Sequence, residues 1–215
     1  MEFVVLGWAD DGPTLRLDYR RFAYAGKFVM SNTGKAVVVD RWDGMSVPSE
    51  EYASKVLAAA AFNADRTDAS TLWIRYVTVR ADRKENGLGP RLCAFVVDAA
   101  RGAGYRRLRI AVNNPFAYEA LYKAGFAWTG ETTGLAELVL ERPADAPATR
   151  TRETYQSGLD RYRDRNAGEP EASFLSARWD ADPPELLDGV GDASVRSATA
   201  AADASTATDA DDAGR

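Results

Sequence analysis

Residues 72–92, LWIRYVTVRADRKENGLGPRL, join a β-branched and aromatic run to a charged loop, Lys84-Glu85-Asn86-Gly87-Leu88-Gly89, that opens into a helix. Residues of these types in this order can hold an anion. Glycine admits backbone angles closed to other residues, so successive N–H groups can converge on a phosphate while the helix adds the positive end of its dipole. Pro90 suits the first helical turn, where its fixed φ helps and its missing N–H leaves no helical bond unmade, although it also removes one phosphate donor. Between Leu72 and Ile110 nine Arg and Lys side chains stand against three carboxylates, in a chain whose formal net charge is −5. A local surplus of that sign suits a ligand carrying several phosphates.

The chain has no histidine and one cysteine. Ser-His and Cys-His dyads, a helix-borne histidine pair for zinc and imidazole acid–base chemistry are thereby excluded, and no metal is expected. A general base must be a carboxylate, a tyrosine or a relayed water. Cys93 sits in the helical run Leu92, Phe95, Val96, Ala99 and reads as a small core residue rather than a nucleophile.

The elements that must position these groups follow from period and punctuation. Glu2–Gly7 reads as a strand, Asp18–Lys27 as an amphipathic helix through Tyr19, Phe22 and Tyr24, and Lys35–Arg41 as a strand after the Asn32-Thr33-Gly34 turn. Lys55–Asn63 and Leu72–Val79 make an antiparallel hairpin. Pro90–Ala103 is a helix stopped by Gly104, and Arg106–Val112 is a strand that should lie parallel to Leu72–Val79 by a right-handed crossover. Asn114-Pro115 supplies an N-cap and a helix-initiating proline for a helix to Ala124, and Ala127–Thr132 with Leu135–Glu141 closes as a hairpin around Thr133-Gly134. The class is α/β (α+β): a mixed, mostly antiparallel sheet of about seven strands flanked by helices.

At 215 residues, 46% hydrophobic and 27% charged, the chain can bury one core with an appendage. After Pro143, Tyr155, Leu159 and Tyr162 recur at helical spacing, and Glu169–Trp179 offers a second short helix through Phe174, Leu175 and Trp179; both are expected to pack on the parent domain. From Gly189 the sequence is Ala, Ser, Thr, Asp and Gly, which can bury almost nothing, so 189–215 is expected to be a disordered acidic tail. Arg outnumbers Lys and Asp outnumbers Glu, a bias that fits a GC-rich genome or adaptation to high salt. The start, MEFVVLGWADDG, has too short an apolar run for a signal peptide, and nowhere do about 18 apolar residues follow one another. A cytoplasmic protein without membrane contact is the expectation.

The phosphate loop resembles the pyrophosphate loop of the GNAT (GCN5-related) N-acetyltransferases: Arg or Gln, two residues, Gly, one residue, then Gly or Ala. Lys84, Gly87 and Gly89 occupy its three defined positions. Residues 114–126, NPFAYEALYKAGF, resemble that family's second motif, an Asn, a helix bearing Ala and Leu-Tyr, then Gly-Phe. The resemblance covers residues 1–142, which it makes a GNAT-like N-acetyltransferase domain. Residues 143–188 are then a helical extension.

The resemblance implies acetyl-CoA as cosubstrate, lying where the two parallel strands splay apart. Its pyrophosphate would meet Lys84, Glu85, Asn86, Gly87, Leu88 and Gly89, its pantetheine arm the backbone of Val77, Thr78 and Val79, with Asn114 close by. The amine attacks the thioester directly, and the family often supplies a tyrosine on the helix after the Asn to protonate the leaving thiolate. Here the Leu-Tyr is displaced: Tyr122 falls one residue late, about 100° further round the helix, so Tyr118 and Tyr122 are rival donors. Either tyrosine could instead pack, and Asn114 could serve as an N-cap besides. Some members carry a Glu on the strand before the loop, where this chain has Trp73; Glu131, Glu137 or an ordered water chain are the alternatives.

The acceptor is a small-molecule amine or a protein amine. Tyr24, Trp42 and Trp128 place aromatic surface in the regions that form the family's acceptor side, and Asp40, Asp43, Glu50 and Glu51 could attract a cation. A non-catalytic CoA-binding or interaction module on the same fold is the alternative function. Nucleic acid is not an expected partner, because no aromatic RNA-binding motif accompanies the arginines.

Overall fold

The computed structural model describes residues 1–41, 52–84, 86–134, 136–165, 168–187 and 196–197. In chain order they form β1 (Glu2–Gly7), β2 (Gly34–Val39), β3 (Val56–Ala64), β4 (Thr71–Val79), α1 (Leu88–Gly102), β5 (Arg107–Val112), α2 (Pro115–Lys123), β6 (Ala127–Thr133), β7 (Glu137–Pro143), α3 (Arg152–Arg163), α4 (Glu171–Ser176) and β8 (Arg196–Ser197). One sheet runs in the order β6-β7-β5-β4-β3-β2-β1-β8. The seven longer strands pair antiparallel except β4 and β5, which are parallel and joined through α1, as the crossover argument requires.

The sheet is covered on both faces, which explains why residues 36–39 of β2 and the start of β3 read as unbroken apolar runs. On one face Leu92, Phe95 and Val96 of α1 pack with Leu121 of α2, Ile74, Leu108, Ile110, Leu138 and Leu140. On the other, Leu15, Leu17, Phe22, Ala25 and Phe28 cover Val4, Val37, Val39, Ala59 and Ala61.

That second layer corrects the sequence reading. Asp18–Lys27 is not an amphipathic helix: turns lead into a single 3-10 turn, Ala25–Lys27. Phe22, Ala25 and Phe28 are the buried residues, three apart, so the segment follows a three-residue period and leaves Tyr19 and Tyr24 outside. Lys35 of β2 holds this layer in place. Its buried Nζ donates to the carbonyl oxygens of Pro13, Met30 and Thr33 at 3.1, 2.8 and 2.7 Å, and burial lowers its pKa to about 8. Lys35→Met is expected to lower stability by about 2 kcal/mol, because three carbonyls, the Thr33 one buried and the others partly so, lose their donor. Urea denaturation measures this, and an unchanged midpoint would show that the segment is held by other means.

The extension packs as its spacing predicts: Tyr155, Leu159 and Tyr162 of α3 are buried in the first core. The second extension helix is shorter than expected, Glu171–Ser176, and Trp179 lies outside it and 72% exposed, its ring facing the Arg163 guanidinium at 4.9 Å. Of residues 189–215 only Arg196 and Ser197 are described, and they pair in parallel with Val4 and Val5 of β1.

Candidate functional site

The loop after β4 is shaped by one backbone reversal. Arg80 N donates to Leu57 O at 2.8 Å, tying the end of β4 to β3, and the chain turns through Ala81–Arg83 to an extended, exposed Lys84. Glu85 lies outside the described residues, and Asn86 is exposed. Gly87 takes φ 69°, ψ 13° and caps α1, while Leu88 is buried and anchors its first turn. Helical bonding begins with Arg91 N to Gly87 O at 3.3 Å, so the N–H groups of Leu88 and Gly89 precede the ladder and are free to bind an anion. A Cβ on Gly87 would meet no protein atom within 4 Å, so this glycine is required by its positive φ alone.

Upstream of the loop the parallel strands part. Thr71–Ile74 pair with Arg107–Ile110. Beyond Ile74, β4 stays with β3, and beyond Ile110, β5 stays with β7. The cause lies in β4 itself. Tyr76 pairs with Ala61 and Ile74 with Phe62, so Arg75 is an extra, bulged residue at the point of divergence. The β5-side backbone edge of Val77, Thr78 and Val79 therefore has no strand partner among the described residues. Val77 and Val79 are half-buried against the first core, and the buried Thr78 hydroxyl has no hydrogen-bond partner. At the C-terminal end of β4 a cavity of about 350 Å³ is lined by Asp40, Arg41, Ser54, Lys55 and Arg80.

On α2, Asn114 Oδ1 accepts from Ala117 N at 2.8 Å, and Pro115 opens the helix, so the N-cap role is filled. Tyr118 and Tyr122 are both fully buried. Their hydroxyl oxygens lie 3.1 Å apart; Tyr118 Oη also reaches the Tyr155 carbonyl at 3.2 Å, and Tyr122 Oη accepts from Trp128 N at 3.2 Å. Tyr155 and Tyr162 of α3 pack around Tyr118, and Tyr162 Oη donates to Val112 O at 3.1 Å. Burial raises the pKa of both α2 phenols above the ordinary tyrosine value. Cys93 is buried too, and burial pushes its thiol up to about 12, so it is no nucleophile at neutral pH.

Trp73, where some acetyltransferases carry a Glu, donates through Nε1 to Asp65 Oδ2 and has the Arg75 and Arg109 guanidiniums 5.1 and 5.8 Å from its ring centroid. Asp65 is held well below the usual carboxylate range by bonds from Thr67 and Trp73, which makes it a poor base. Glu131 is paired with Arg109 at 3.1 Å, and Glu137 is partly buried on β7. Trp42, Asp43, Glu50 and Glu51 lie outside the described residues. Sequence reasoning passed over Arg75 and Tyr76, which follow Ile74 where the strands part, and Lys27, whose Nζ lies 5.8 Å from the Tyr76 ring centroid; a bulge in β4 has no signature in residue type. Among the described residues no group of three or more acidic or thiol side chains is placed to hold a metal ion, and no helix is long and apolar enough to cross a membrane.

A family model described as the acetyltransferase (GNAT) family matches residues 17–126, more than half of the 215-residue chain. No curated protein sequence matches. Among solved structures, an N-acetyltransferase from Staphylococcus aureus Mu50 is 18% identical, with 52% of this chain and 68% of that one covered at a TM-score of 0.41. A GCN5-related N-acetyltransferase from Kribbella flavida is 24% identical, with 52% and 67% covered at 0.39. The PaiA N-acetyltransferase from Thermoplasma acidophilum, in complex with coenzyme A, is 16% identical, with 42% and 55% covered at 0.37. The match to PaiA thus spans little more than half the length of that enzyme.

Proposed function

Since the chain belongs to the GNAT acetyltransferase family, we propose that it binds acetyl-CoA at the β4–β5 splay and transfers the acetyl group to an amine by direct attack. The observation that carries this reading is the junction of a bulge-driven splay with a left-handed Gly87 at the head of α1. The N–H groups of Leu88 and Gly89 would hold the pyrophosphate, with Lys84 and the neighbouring cationic side chains adding charge. The open edge of Val77, Thr78 and Val79 would bond the pantetheine amides as a further strand does. That arrangement leads the thioester toward the apex at Ile74 and Ile110.

In the transfer, the amine nitrogen forms a bond to the thioester carbonyl carbon, the carbon–sulfur bond breaks, and the CoA thiolate leaves. The nitrogen gives up one proton and the thiolate takes one. We assign both transfers to water, because both phenols are fully buried: Tyr118 donates within the protein, to Tyr122 Oη and Tyr155 O, and Tyr122 Oη accepts from Tyr118 and from Trp128 N. Tyr118→Phe and Tyr122→Phe are accordingly expected to cost about 1 kcal/mol of stability each and to change turnover less than about threefold. A large fall in kcat at unchanged CoA affinity would instead make one phenol the proton donor. Release of free thiol from acetyl-CoA across a panel of amines tests the activity. Binding of CoA with no thiol release from any amine would favour the non-catalytic CoA-binding module.

A further inference from the structure

Beside the splay lies a group of aromatic and cationic side chains. Tyr76 and Arg75 directly follow Ile74, the last residue of β4 paired with β5, so both stand where the strands begin to open. The Tyr76 ring is met from the N-terminal layer by the Tyr24 ring, 6.1 Å away at 37°, and by Lys27 Nζ, 5.8 Å from its centroid.

Two features of this group bear on what it could bind. Tyr24 is 58% exposed and yet held at φ 58°, ψ 18°, in the left-handed region that a bulky residue rarely occupies. The strain is imposed by the surroundings: Lys27 N donates to Tyr24 O at 2.8 Å, Phe28 N to Ala25 O at 3.2 Å, and Phe22, Ala25 and Phe28 are buried around it. Nothing in the core needs the ring to stand out, and strain of this kind gathers at ligand clamps. The second feature is charge. Arg20, Arg21, Arg80, Arg107 and Arg109 each have a carboxylate within 4.0 Å. Lys27 and Arg75 have none among the described residues, and Arg75 Nε donates instead to Asn63 Oδ1 at 2.7 Å. Asp65, on this side of β4, already accepts from Trp73 and Thr67.

We propose that the acceptor is a small aromatic amino acid: its ring lies against Tyr24 and Tyr76, its carboxylate pairs with Lys27, beside the Tyr76 ring, and its amine faces the splay. This rests on the acetyl-transfer reading for the identity of the amine's role. Polyamines and lysine side chains would bring further positive charge beside Lys27, which has no carboxylate within 4.0 Å among the described residues, and are disfavoured here.

The test is calorimetric titration of the CoA-loaded full-length protein with L-phenylalanine, L-phenylalaninamide, glycine and spermidine, repeated on the unloaded protein. Phenylalanine should bind at least about tenfold more tightly than its amide, as a charge-assisted contact gives. Lys27→Gln should narrow that ratio, Lys27→Arg should keep it, and Tyr24→Ala should weaken phenylalanine while leaving glycine unchanged. In turnover, the same Lys27 change should raise KM for phenylalanine and leave kcat and the KM for acetyl-CoA in place. Equal binding of the amide, tighter binding of spermidine, or an unaltered ratio in Lys27→Gln would overturn the proposal. Failure of CoA to bind would count against the acetyl-transfer reading alone, since the amino-acid comparison stands on the unloaded protein.

Discussion

Gly87→Val should reduce CoA affinity by at least about thirtyfold while leaving the folding transition within a few degrees of the parent protein. Gly87 has φ 69° at the head of α1, a conformation that opposes a β-branched side chain. A valine there forces the loop toward negative φ, which turns the N–H groups of Leu88 and Gly89 away from their common focus. The core is spared, because no protein atom lies within 4 Å of the added Cβ. Calorimetric titration with CoA, with inorganic phosphate as control, measures the loss. Normal CoA binding by Gly87→Val would mean that the phosphates are held elsewhere, and equal affinity for phosphate and CoA in the parent protein would remove the case for a dinucleotide-like cradle.

Gly158→Ala should be the most destabilising single change in the extension, by about 3 kcal/mol. Gly158 of α3 is buried against the Tyr118 ring, and a Cβ there would stand 2.0 Å from Oη and 2.4 Å from Cζ. Those ring atoms are themselves fully enclosed, so the contact cannot be relieved by a rotamer change alone. The helices must separate, and Tyr155 and Leu159 lose packing with them. Scanning calorimetry should show the fall in Tm, and adding Tyr118→Leu should restore much of it through a non-additive coupling. A Gly158→Ala protein as stable as its parent would show that α3 does not sit on α2 in this way.

The parts of the molecule that were legible in sequence are those whose information is local. The β4–loop–α1 unit announced itself through Gly87, Gly89 and Pro90, and the parallel β4–β5 pair followed from the helix between two apolar runs. The stripe Tyr155, Leu159, Tyr162 was readable as a packing face for the same reason. What escaped depended on contacts made far along the chain. From α2 alone Tyr118 and Tyr122 read as rival proton donors or as packing residues, and the packing partner could not be named, because the carbonyl that Tyr118 meets belongs to Tyr155, 37 residues later. Asp18–Lys27 showed a plausible helical stripe, but the need to cover β1–β4 with Leu15, Leu17, Phe22, Ala25 and Phe28 imposed turns and a three-residue spacing. The Arg75 bulge, which lies where β4 and β5 part, is a property of β3–β4 register that no single residue advertises.

The most direct test of acetyl transfer at the splay is mass spectrometry of reactions containing acetyl-CoA labelled in its acetyl group and a panel of amines that includes aromatic amino acids. The account predicts labelled amide on at least one amine, formed in step with free CoA thiol and abolished by Gly87→Val. Labelled acetate or unreacted acetyl-CoA with every amine, under conditions where CoA is bound, would contradict it.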